Sequence, residues 1–140
     1  MIRDVETAAS KWVLVVDDDQ DTREIVVEML EDAGYAAIAA AGGAAALRLM
    51  QQQAPALVLS DLVMSEMDGK ELFARTRELL GASMPPFVFL TGLPPTFLSV
   101  SETVLTKPYD LDQLLEVVGH HCSALAAPAP RMLVSAAKTA

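Results

Sequence analysis

The chain has 140 residues, of which 52% are hydrophobic and 5% aromatic, so it can build one sizeable domain with an aliphatic core. Its net charge of −9 argues against a general nucleic-acid surface, because phosphate binding needs clustered lysine and arginine. One cysteine excludes an internal disulfide framework, and no apolar run approaches the ~20 residues of a membrane span. The first residues, MIRDVETAAS, lack the apolar core of a secretion signal. We therefore expect a cytoplasmic protein that binds neither nucleic acid nor membrane.

Strands and helices alternate through the first half of the chain. Trp12–Val16 is continuously apolar, which is typical of a strand covered on both faces. Helical spacing of apolar residues, apolar runs and the turn residue Gly34 predict the elements that follow. They are a helix at 20–33, a weak strand at 35–40, a helix at 44–53 and a strand at 56–60 that ends on Asp61.

The second half continues this pattern with shorter elements. A helix is expected to begin with a cap near Asp68, one strand covers 87–90, and a short strand covers 103–106. Asp110 is expected to cap the last helix. Four residues of that helix are predicted to face inward, namely Leu111, Leu114, Leu115 and Val118.

The alternation of strands and helices predicts a parallel sheet with helices on both faces. Five such strands fit an α/β, flavodoxin-like doubly wound fold with strand order 2-1-3-4-5. Residues 92–102 number only eleven, whereas a helix of ~11 residues with its two loops needs about 15 or more. The helix between the fourth and fifth strands is therefore expected to be absent or a single turn. The domain is expected at 11–122, between tails at 1–10 and 123–140.

Carboxylates follow two of the predicted strands at the point where each strand ends. Asp17 and Asp18 end the first strand and Asp61 ends the third, so the three should meet at one edge of the sheet. At ~5 Å each pair would repel by about 3 kcal/mol at an effective dielectric of 20, which a divalent cation would relieve. Mg²⁺ suits such oxygen ligands. Thr91 and Lys107 end the fourth and fifth strands, and a hydroxyl and a cation beside these carboxylates favour phosphoryl transfer.

At this point the chain resembles the receiver domain of two-component response regulators over about residues 11–122. Four motifs carry the resemblance: VLVVDDD, LVLSDLVMSEMDG, FVFLTG and LTKPY. The resemblance implies that Asp61 accepts phosphate from the histidine of a kinase or phosphotransfer protein, with Mg²⁺ as the cofactor. It also implies roles for other residues. Asp18 would be a direct Mg²⁺ ligand, Asp17 a ligand largely through water, and Val63 a ligand through its main-chain carbonyl. Thr91 and Lys107 would pair with the phosphoryl oxygens. The Lys107-Pro108 peptide bond would be cis.

The chain departs from the usual receiver pattern at position 104 and in the short stretch 92–102. Val104 stands where receivers usually carry tyrosine or phenylalanine, three residues before the lysine, so the usual coupling of threonine to that aromatic is in doubt. PFVFLTG resembles a subset of receivers that have a Thr-Gly step after the fourth strand and little helix before the fifth. Residues 123–140 are too few for an effector domain. We therefore expect a stand-alone receiver that signals by protein contact, with a homodimer as an option.

Calcium binding is an alternative reading of the first acidic cluster. Asp17, Asp19 and Asp21 occupy positions one, three and five of an EF-hand loop, and Glu28 falls at position twelve. However, Thr22 stands where that loop needs glycine, and a strand precedes the cluster where a helix should. Asp19 is instead expected to cap the following helix.

Two further alternatives concern Asp61. A phosphatase with an aspartate nucleophile would need a second catalytic aspartate two residues later, where Val63 stands. The chain is therefore not expected to be an enzyme, beyond catalysing its own phosphoryl transfer and dephosphorylation. A pseudo-receiver, which binds a partner without being phosphorylated, remains the alternative function.

Overall fold

A computed structural model describes residues 12–92 and 103–121, which contain one five-stranded sheet. The strands are β1 (Trp12–Val16), β2 (Ala36–Ala40), β3 (Leu57–Asp61), β4 (Phe87–Thr91) and β5 (Thr103–Thr106). Their order is β2-β1-β3-β4-β5, and every neighbouring pair is parallel. The predicted flavodoxin-like sheet with order 2-1-3-4-5 is confirmed.

Helices cover both faces of this sheet. The helices are α1 (Gln20–Asp32), α2 (Gly43–Gln52), α3 (Gly69–Leu80) and α4 (Leu111–His121), with a 3₁₀ turn at Gly81–Ser83. Helices α1 and α4 pack on one face, where Leu30 and Leu114 share a buried cluster with Val13 of β1. Helices α2 and α3 pack on the other face, where Met50 and Leu72 contact the cluster that contains Leu14. The fold therefore has three layers.

Strand β1 lies inside the sheet, between β2 and β3. Its five residues are all buried, which explains why its sequence is apolar without alternation. Val13 and Val15 face the layer of α1 and α4, whereas Trp12, Leu14 and Val16 face the layer of α2 and α3. Because both faces are covered, the strand ends where the first charged residue appears.

Short side chains and one glycine set the ends of α1. Asp19 accepts a hydrogen bond from the Thr22 backbone N–H at 2.9 Å, so the predicted N-cap is confirmed. Gly34 has a φ of 99°, a left-handed conformation that glycine adopts readily. The N–H groups of Gly34 and Tyr35 donate to the last carbonyls of the helix at 3.0 and 2.9 Å. Helix α1 is therefore closed at both ends by its own local sequence.

One prediction about the core is wrong. Leu111 is 45% exposed, although it was expected to face inward with Leu114 and Val118, which are buried. Leu111 is the first residue of α4, and the helix reaches the sheet layer only one turn later, at Leu114.

The predicted short or absent helix at 93–102 and the predicted tails at 1–10 and 123–140 lie outside the described residues. Among the described helices, none has the length and apolar character needed to cross a membrane.

Candidate functional site

Three carboxylates meet at the carboxyl edge of the sheet. Strands β1 and β3 are in parallel register, with Val16 opposite Ser60, so the residues that follow these two positions lie side by side. One carboxylate oxygen each from Asp17, Asp18 and Asp61 lies within 4.8 Å of the other two. The structure thus brings together the three acidic residues that the sequence placed at strand ends.

Asp17 is the most enclosed member of this acidic cluster. Its side chain is 4% exposed, and its Oδ1 accepts a hydrogen bond from the Asp19 N–H at 2.9 Å. Burial raises the pKa of the Asp17 carboxyl above its ordinary value, the Asp19 N–H opposes this change, and the charge of Asp61 adds to it. Arg23 donates to the Asp17 main-chain carbonyl at 3.3 Å and so ties α1 to this turn. Even with the Lys107 ammonium group close by, negative charge on Asp17 is therefore less favourable in the fold than in water.

Asp61 sits on a backbone segment that the start of α3 approaches closely. The Gly69 N–H donates to the Leu62 carbonyl at 2.8 Å. A Cβ at Gly69 would lie 2.5 Å from the Asp61 carbonyl oxygen and 3.0 Å from Leu62 Cα, so only glycine fits without a shift of this backbone. The Asp61 side chain itself is 14% exposed, which leaves its carboxylate accessible at the edge of the sheet.

Lys107 supplies positive charge to the acidic cluster. Its Nζ lies 3.5 Å from Asp61 Oδ2 and 3.9 Å from Asp17 Oδ2. The Lys107 backbone N–H donates to the Thr91 carbonyl at 2.6 Å, which joins the ends of β4 and β5. The Lys107-Pro108 peptide bond is cis, as the resemblance implied. Thr91 is 1% exposed at the end of β4, and so the predicted hydroxyl lies at the same edge of the sheet.

The partner of Asp18 is not evident from the sequence. The Asp18 carboxylate accepts two hydrogen bonds on Oδ2 from Ser65, one from the backbone N–H at 2.9 Å and one from Oγ at 3.2 Å. Ser65 lies 47 positions along the chain, in the connection between β3 and α3. Ser65 lies within the motif LVLSDLVMSEMDG, but the resemblance assigns it no role, and one serine in a connection carries no periodic signal that would indicate this contact.

Three other residues, Tyr109, Val63 and Val104, bear on the predictions for this site. Tyr109 is partly buried against the layer of α1 and α4. Burial raises the pKa of its hydroxyl, and the charges of Asp17 and Asp61 add to the increase. Tyr109 therefore lies within electrostatic reach of the cluster, although the sequence analysis gave it no role. Val63 has a largely exposed side chain, and Val104 packs in part against the layer of α2 and α3. The role of the Val63 carbonyl as a metal ligand remains a prediction.

The donor atoms of the acidic cluster suit a hard divalent cation. Carboxylate oxygens are the ligands that Mg²⁺ prefers, and Mg²⁺ keeps several waters, so one to two direct carboxylates are enough. The three oxygens within 4.8 Å carry more negative charge than Lys107 alone can offset. The arrangement therefore fits the predicted metal, with Asp17, Asp18 and Asp61 as its acidic residues.

Comparison with known proteins agrees with this arrangement. A family model described as the response regulator receiver domain matches residues 13–119. A 14.6 kDa protein of Leptolyngbya boryana, encoded beside sodA1, is 37% identical over 126 residues, covering 86% of this chain and 96% of that protein. The response regulator receiver protein CpdR of Brucella abortus is 34% identical over 114 residues, covering 77% of this chain and 93% of CpdR.

Solved structures show the same likeness. The chemotaxis protein CheY4 of Vibrio cholerae matches with a TM-score of 0.72 and 31% sequence identity, covering 80% of this chain and 98% of CheY4. With the match of the family model to most of its length, the chain belongs to the response regulator receiver domain family.

Proposed function

We propose that Asp61 accepts a phosphoryl group from the histidine of a kinase or phosphotransfer protein, and that the chain then signals through protein contacts. The observation that carries this proposal is the position of Lys107 Nζ, 3.5 Å from Asp61 Oδ2, beside two further carboxylates. A carboxylate nucleophile with a cation and a set of metal-binding oxygens around it is what phosphoryl transfer requires. Membership of the receiver family supports the same reaction.

The reaction needs one bond to form as another breaks. An Asp61 carboxylate oxygen attacks the phosphorus of the phosphohistidine, the new P–O bond forms, and the P–N bond breaks with its electron pair returning to the donor's imidazole. The Asp61 side chain is 14% exposed, which lets a donor approach from the edge of the sheet. Lys107 pairs with a phosphoryl oxygen, and the Thr91 hydroxyl donates to another.

The acidic residues have a separate task in this proposal. Asp17, Asp18, Asp61 and the main-chain carbonyl of Val63 would hold Mg²⁺, which when bound offsets the negative charge of the carboxylates and phosphoryl oxygens. The chain itself positions these oxygens before the donor arrives, because strands β1 and β3 fix Asp17 and Asp61 in register. Charge compensation, rather than proton transfer, is thus the main contribution of the site.

The proposal also covers the biological setting. The chain modifies only itself, so we do not class it as an enzyme acting on an external substrate. Its partners would be the phosphodonor and a downstream protein. It would act in the cytoplasm, where kinases obtain phosphoryl groups from ATP. A homodimer is one of the proposed forms of the output.

Mass spectrometry of the intact protein after treatment with acetyl phosphate tests this function. The wild type should gain one phosphoryl group when Mg²⁺ is present and much less when it is removed by EDTA. Asp61→Asn should gain none, because the nucleophile is lost while the shape of the side chain is kept. Asp32→Asn makes the same chemical change at the exposed end of α1 and should behave like the wild type.

Two outcomes would contradict the proposal. Phosphorylation of Asp61→Asn to the same extent as the wild type would show that another residue is the acceptor. A wild-type protein that binds Mg²⁺ but takes no phosphate from acetyl phosphate or from kinases would favour the pseudo-receiver alternative.

A further inference from the structure

We propose that Ser65 is a positioning residue that holds the Asp18 carboxylate ready to bind Mg²⁺. The inference rests on the proposed function, since it concerns the metal site of the same reaction. Two donors of Ser65, its N–H at 2.9 Å and its Oγ at 3.2 Å, converge on the single oxygen Oδ2 of Asp18. A carboxylate has a second oxygen, which remains able to bind a cation while the first is held.

Asp18 needs such a partner more than the other two acidic residues do. Asp17 is enclosed by the fold and accepts a bond from the Asp19 N–H, and Asp61 belongs to strand β3. Asp18 is exposed in the turn after β1, where a free side chain would populate several rotamers. Fixing the side chain before the metal binds removes that loss of freedom from the binding step.

The loop around Ser65 is itself held in place. The Met67 N–H donates to the Ser65 carbonyl at 2.8 Å, which closes a three-residue turn centred on Glu66. Glu66 has a φ of 70°, in the left-handed region that side chains other than glycine seldom adopt. The Gly69 N–H bond to Leu62 then anchors the end of the loop. The donors of Ser65 are therefore presented by a constrained backbone rather than by a free loop.

The expected change in Mg²⁺ affinity follows from hydrogen bonds to metal ligands at other metal sites. Groups that orient a metal ligand through a hydrogen bond typically change metal affinity by 10–100-fold when they are removed. The Ser65 hydroxyl is one of two donors to Asp18, and the backbone N–H remains after mutation. We therefore expect a change near the lower end, ~10-fold.

Isothermal titration of Mg²⁺ into four proteins tests the inference: the wild type, Ser65→Ala, Ser65→Thr and Ser83→Ala. Ser65→Ala removes the hydroxyl donor and should weaken Mg²⁺ binding by ~10-fold. Ser65→Thr keeps a hydroxyl and should bind within about two-fold of the wild type. Ser83→Ala makes the matched change at an exposed serine of the 3₁₀ turn and should bind like the wild type.

Thermal unfolding without metal separates positioning from a general structural role. A structural role would lower the Tm of Ser65→Ala without changing its Mg²⁺ affinity, and that result would overturn the inference. Mg²⁺ binding by Ser65→Ala that equals the wild type would also overturn the inference. Tighter binding would overturn it as well, because it would show that Ser65 competes with the metal for Asp18. A wild type that binds no Mg²⁺ overturns both this inference and the proposed metal site, whereas a binding wild type with an unchanged Ser65→Ala overturns the inference alone.

Discussion

The interiors of strands β1 and β3 and the carboxyl ends of the same strands contain opposite kinds of side chain. In the interiors, Leu14 and Leu57 are 0% exposed and belong to the two buried hydrophobic clusters of the sheet. At the ends, Asp17, Asp18 and Asp61 bring carboxylate oxygens within 4.8 Å of one another. The interior stabilises the fold, whereas the ends oppose it. The acidic strand ends are thus the part of the chain that is least favourable on its own.

Approximate energies explain how the two parts coexist. Two carboxylates at 4.8 Å repel by about 3 kcal/mol at an effective dielectric of 20, and Lys107 at 3.5 Å offsets part of this. Burying one leucine or valine side chain contributes about 1.5–3 kcal/mol. The strands that lead to the acidic cluster bury several such side chains each. The core can therefore hold the like charges together before any metal binds.

The largest expected effect is on the interior. Leu14→Ala should lower the free energy of unfolding by about 2–5 kcal/mol, because it leaves a cavity in the layer of α2 and α3. Denaturant unfolding followed by circular dichroism measures this change. Leu79→Ala, at a side chain that is 39% exposed, is the matched control and should cost less than ~1 kcal/mol. A loss at Leu14 no larger than at Leu79 would contradict the importance assigned to the interior.

The interior was also the more predictable part of the fold. Trp12–Val16 is predictable from its continuous apolar run, because a strand covered on both faces is built mostly from apolar residues. The caps at Asp19 and Asp68 were recognised because short polar side chains satisfy the first helical N–H groups. Leu111 was misassigned because helical spacing gives the face of a helix but not the point along it where contact with the sheet begins.

The carboxyl ends were predictable only in part. Asp17, Asp61 and Lys107 could be placed together because the ends of parallel strands meet at one edge. Ser65 and Tyr109 could not, since their positions depend on the path of a loop and of the chain after β5. Such paths are set by individual hydrogen bonds, such as that of Ser65 to Asp18, and these leave no periodic trace in the sequence.

A smaller effect with the opposite sign is expected at the end of β1. Asp17→Asn should raise the free energy of unfolding of the metal-free protein by about 1 kcal/mol at pH 7, because it removes a buried charge next to Asp61. Asparagine keeps an oxygen that can accept the Asp19 N–H bond. Thermal unfolding in EDTA measures the change, and Asp32→Asn on α1 serves as the control.

The pH dependence of this substitution follows from the direction of the pKa shift. Burial raises the pKa of Asp17 in the fold above its ordinary value of 3.8. Below that ordinary value the carboxyl is protonated in both the folded and the unfolded chain, and its charge destabilises neither. As pH rises through the raised pKa, the folded wild type loses stability relative to Asp17→Asn. The advantage of the variant should therefore grow from pH 4 to pH 7, and an advantage that shrinks over this range would contradict the assignment.

The smallest effect concerns the backbone at the same edge of the sheet. Glu66, with a φ of 70°, occupies a left-handed conformation that costs a residue with a side chain about 1 kcal/mol or more. Glu66→Gly removes this cost but adds freedom to the unfolded chain, so the free energy of unfolding should rise by only ~0.5 kcal/mol. Glu66→Ala removes the carboxylate but keeps the unfavourable φ, and it is therefore the reference. If Glu66→Gly unfolds at a lower temperature than Glu66→Ala, the unfavourable energy at the carboxyl ends comes from charge alone and not from the backbone.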